Sequence, residues 1–84
     1  MEHRATVEHY PGTLADLAKE LGNLRYDALA AFLHAISENL TADAVADEAR
    51  GRPRLATSLH AAALKIAAAA DDIERAWAVS APHM

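Results

Sequence analysis

The chain has 84 residues, no cysteine and a formal net charge of −4. That length makes one small domain of marginal stability, and without thiols neither a disulfide nor a thiolate metal site can compensate. The acidic balance opposes generic attraction to nucleic acid or anionic membrane, and His60 and Lys65 break the most apolar region, so no bilayer-spanning run of about 18 residues exists.

Residues 1–12 show no hydrophobic periodicity and end in the turn signal Tyr10-Pro11-Gly12. Glu2, Arg4 and Glu8 stand there without an apolar run, so no secretory signal is expected and the expected setting is the cytoplasm. We expect an extended or disordered arm. Thr13 is then a good N-cap, with Asp16 three residues on as a shorter variant of the capping box. Leu14, Leu17 and Leu21 share a face, and Gly22 is placed to end the helix in a left-handed conformation. A short helix is expected over about 14–21.

Asn23 is a cap for the next helix, expected over about 24–50. Its apolar stripe is Tyr26, Leu29, Leu33, Ile36, Leu40 and Ala44, with Phe32 beside it, while Arg25, His34, Glu38 and Thr41 take other directions. Gly51 is a stop, and Pro53 suits the first turn of a new helix because its missing N–H has no partner there.

The third helix, over about 53–80, organises the rest. Leu55, Leu59, Ala62, Ile66, Ala69, Ile73, Ala76 and Ser80 follow at alternating spacings of four and three, the seam expected of coiled-coil-like packing. Leu64, flanked by Ala61 and Ala68, lies well round from that stripe and widens the apolar surface. A helix apolar round most of its girth is usually covered on more than one side.

Two long helices joined by a Gly51-Arg52-Pro53 corner read as an antiparallel hairpin. That corner would pair Leu40 with Ala63, Ala44 with Leu59, Leu33 with Ala70, and Tyr26 with Trp77, large against small at most layers. The expected fold class is all-α: one helical domain over 13–81, with residues 82–84 as a tail. One hairpin cannot cover the whole apolar surface, so two copies are expected to dimerise into a four-helix bundle. Self-association would use Leu55, Leu59, Ala62, Leu64, Ile66, Ala69, Ile73 and Trp77.

Few residues offer chemistry. Arg50-Gly51-Arg52-Pro53-Arg54 resembles the core of an AT-hook, which would imply a Gly-Arg-Pro tripeptide lying in an A·T-rich minor groove. Asp43, Asp47 and Glu48 precede it and a helix follows directly, which favours a helix–helix corner with Arg50, Arg52 and Arg54 as contacts for an acidic partner or a phosphate. Leu17-Ala18-Lys19-Glu20-Leu21-Gly22 resembles the first helix and turn of a helix-turn-helix. The register then fails: Ala28 and Ala31 stand where apolar anchors belong, and the next helix has little to read base edges.

No two histidines are spaced i, i+4 and no Glu-x-x-His pair occurs, so no metal site is expected. His34 and His60 would lie roughly 13 Å apart along the hairpin, and His60 would approach Asp43 or Asp47. His60 with Leu64 and Lys65 has a likeness to a phosphotransfer histidine, at the wrong spacing. Asp71, Asp72 and Glu74 read as a solvated face, with Arg75 supporting Asp71. No nucleophile sits with a histidine and a carboxylate, so neither an enzyme nor a cofactor is expected. The expected role is a non-catalytic interaction or scaffolding module whose partners are itself and another protein. The alternative is a small nucleic-acid-associated regulator using the Arg50–Arg54 corner.

Overall fold

The computed structural model describes residues 3–83, so residues 1 and 2 of the expected arm and residue 84 of the expected tail lie outside it. The chain is all-helical, with α1 at Leu14–Gly22, α2 at Tyr26–Ala49 and α3 at Pro53–Ser80. A 3-10 turn over Ala81–His83 follows α3. No helix among the described residues is long and apolar enough to cross a membrane.

Local chemistry sets the helix ends. The Asp16 backbone N–H donates to Thr13 Oγ1 at 3.0 Å and the Thr13 N–H donates to Asp16 Oδ2 at 3.2 Å, a reciprocal capping box. The other end of α1 departs from expectation. Gly22 stays helical, and Asn23 caps α1 instead of opening α2, donating its N–H to the Lys19 and Glu20 carbonyls. That tightening satisfies the last carbonyls without any left-handed residue. At the corner, Gly51 does adopt φ +76°, and Pro53 is the first residue of α3.

The helices α2 and α3 pack along their length, and α1 has no comparable packing against either. Ser37 Oγ donates to the Ala63 carbonyl at 3.0 Å, His34 meets Glu74, and Arg52 meets Asp47. Partners rise along one helix as they fall along the other, so the hairpin is antiparallel. The Ser37–Ala63 level is within one turn of the expected Leu40–Ala63 pairing.

The fully buried side chains of the seam are small: Ala30 and Ala44 on α2, and Ala56, Ala63 and Ala70 on α3. Positions seven apart share a flank of a packed helix. Ala56, Ala63 and Ala70, seven apart, therefore line the contact on α3, with Trp77 next in the series at the open end, and Ser37 fills the place between Ala30 and Ala44. The expected large-against-small layering gives way here to small against small. This lets Ser37 reach main-chain oxygen across the interface. Among the described residues no large side chain is fully buried.

Candidate functional site

The seam divides the hairpin into two faces. On α3, Leu59, Ile66 and Ile73 lie to one side of the alanine line and stay half-buried. Leu55 and Ala69, further round the same side, are exposed. On α2, Leu29, Leu33, Ile36 and Leu40 are half-buried, and Phe32 is exposed. In an antiparallel pair the same flanks of both helices fall on the same side, so these residues form one apolar face.

The opposite face is polar. His34 Nε2 is 2.9 Å from Glu74 Oε1 and 3.8 Å from Asp71 Oδ1, and the ligating atoms of the three residues all lie within 4.8 Å of one another. Asp71 and Glu74, three apart on α3, project together toward α2. Asp71 was expected on a solvated face beside Arg75. Arg75 instead pairs with Asp72, while Asp71 faces the histidine.

Leu64 is seven residues before Asp71 and so belongs to this polar flank, where its side chain is 73% exposed. It is therefore separated from the Leu55–Ile73 stripe with which it was grouped as an interface residue. Trp77 is half-buried at the open end of the hairpin. The Arg25 guanidinium lies 5.4 Å from its ring centroid, a cation–π contact within the chain. Arg25 also donates through Nε and Nη2 to both Asp27 oxygens, at 3.0 and 2.7 Å. The hydrogen bond from Arg25 holds the Asp27 carboxyl below its ordinary pKa and raises that of Arg25.

At the corner Arg50 and Arg52 stay exposed while sharing one carboxylate of their own chain. Asp47 is 8% exposed; its Oδ1 lies 3.8 Å from Arg50 Nη1 and 3.5 Å from Arg52 Nη1, and its carbonyl accepts the Arg52 N–H at 2.9 Å. Arg54 is exposed without an ion pair among the described residues. A left-handed Gly51 bends this segment, unlike the extended tripeptide of an AT-hook. A cavity of about 530 Å³ opens beside the corner, lined in part by His3, Asp43 and Leu55. His60 makes no ion pair with Asp43 or Asp47 among the described residues, and Arg50 and Arg52 hold Asp47.

The interface residues expected from sequence thus separate into an apolar face, an exposed Leu64 on the other flank, which it shares with the exposed Val45, and a Trp77 stacked by Arg25. The His34 cluster was not expected, because carboxylate partners across the hairpin were sought for His60 alone and Asp71 and Glu74 were placed on a solvated face. The signal lay in the hairpin register, which brings residues near Ala70 to the level of Leu33. The fold and its faces define an all-α helical hairpin with one apolar and one polar side. Comparison with protein-family models, curated proteins and solved structures finds no match to the chain.

Proposed function

We propose that the chain is a non-catalytic helical interaction module that works as a homodimer, two hairpins stacking their apolar faces into a four-helix bundle. One observation carries this reading: the chain exposes too much surface for a finished domain. Its accessible surface is 6414 Å², against about 4,900 Å² for a compact monomer of this mass. The excess of about 1,500 Å², to which the exposed N-terminal residues and the unpacked α1 also contribute, is larger than the roughly 800 Å² per partner that a specific interface of ordinary size buries. Its radius of gyration, 15.2 Å, likewise exceeds the about 12 Å of a compact chain this long.

A second copy is the occupant that fits. Helical layers must bury an apolar stripe against another layer, and an isologous pair supplies the same leucines, isoleucines and alanines from both sides. Leu55, Leu59, Ala62, Ile66, Ala69 and Ile73 would face the twofold axis. The exposed Arg54 and Arg52 remain at the bend as contacts for an acidic partner.

The two faces are separable by charge insertion. Ala69 and Leu64 are both exposed on the hairpin, so glutamate at either position leaves the monomer fold intact. Ala69→Glu is expected to halve the solution mass, and Leu64→Glu to leave it unchanged. A dimer indifferent to Ala69→Glu, or dissociated by Leu64→Glu, would place the interface elsewhere.

A further inference from the structure

We propose that His34, Asp71 and Glu74 form a binding site for a divalent transition-metal ion of the zinc class, clamping α2 to α3 on the polar face. The donor set is one imidazole and two carboxylates, the nitrogen and oxygen ligands that zinc takes in proteins. Bonds of about 2.0–2.2 Å in a tetrahedral site put neighbouring ligand atoms about 3.4 Å apart. The two distances from His34 Nε2, 2.9 and 3.8 Å, bracket that separation. All three side chains are partly exposed, so shifts of a few tenths of an ångström meet little resistance.

Charge points the same way. Two carboxylates converge here, and no lysine or arginine pairs with either among the described residues, since Arg75 is taken by Asp72. Their combined charge matches that of a divalent ion, whereas the imidazole alone leaves the pair undercompensated. In the metal-bound form His34 would present the Nε2 lone pair and carry its proton on Nδ1. The solvent side of the cluster leaves the fourth position to water. Both helices contribute ligands, so binding favours the closed hairpin over the unfolded chain. The site lies across the seam from the apolar face and does not depend on dimerisation.

The test is calorimetric titration of the full chain with zinc ion alone, paired with thermal melts followed by helical circular dichroism. The native chain is expected to bind one zinc per chain and to melt at a higher temperature with zinc present. Asp71→Asn with Glu74→Gln keeps the side-chain shapes and should retain the helical spectrum. That variant and His34→Gln should each weaken binding about tenfold or more and lose the zinc-dependent rise in melting temperature. Replacing His3, His9 and His83 together by alanine should leave both readouts unchanged. Absence of binding, or affinity kept in the carboxamide variant and lost with the three outlying histidines, would overturn the proposal.

Discussion

At the scale of single residues, alanine decides how close the two long helices come. Ala63 is 4% exposed and supplies its carbonyl to Ser37 Oγ, so nothing larger fits without moving a backbone. Ala63→Leu is expected to destabilise the hairpin by about 1–3 kcal/mol through overpacking. Ala68→Leu, on the exposed outer side of the same helix, should stay within about 0.5 kcal/mol of the native chain. Urea unfolding of both variants checks the contrast. The seam was concealed in the sequence because alanine fills every flank of α3. The leucines and isoleucines mark the rim of the contact rather than its centre, and their periodicity drew the expected core half a face too far round. The His34 cluster was hidden for a related reason: its members are 40 residues apart at the widest, and only the pairing of helices unites them.

At the scale of elements, helix ends were legible wherever they depend on neighbouring residues alone. The Thr13–Asp16 box, the positive φ of Gly51 and the proline start of α3 all follow from short-range chemistry. Gly22 was misjudged because a glycine near a helix end suits two closures, and the Asn23 amide takes the non-left-handed one. The two glycines therefore respond to alanine in opposite directions. Gly51→Ala should cost about 1–2 kcal/mol, the penalty of a side chain in the left-handed region. Gly22→Ala meets open space in a helical conformation and should strengthen α1 by about 0.5–1 kcal/mol. The first effect is read from the global unfolding midpoint. The second is read from amide exchange within α1, since that helix has little packing to couple it to the hairpin.

At the scale of the whole molecule, an apolar stripe, a buried alanine seam and an excess of accessible surface are the observations on which the proposed pairing of two hairpins rests. The sequence carried the hairpin and the surplus of apolar surface. The flank on which that surplus lies required the observed pairing of His34 with Glu74, which separates the His34 side from the Leu55–Ile73 side. Metal at the polar cluster and a partner at the apolar face would then stabilise one hairpin from opposite sides. The most direct test of this account is the solution mass of the native chain by light scattering across a dilution series. Twice the 9.0 kDa chain mass is expected at high concentration, falling toward the single-chain value only on strong dilution. A chain that stays at 9.0 kDa at every concentration, folded and helical, would contradict it.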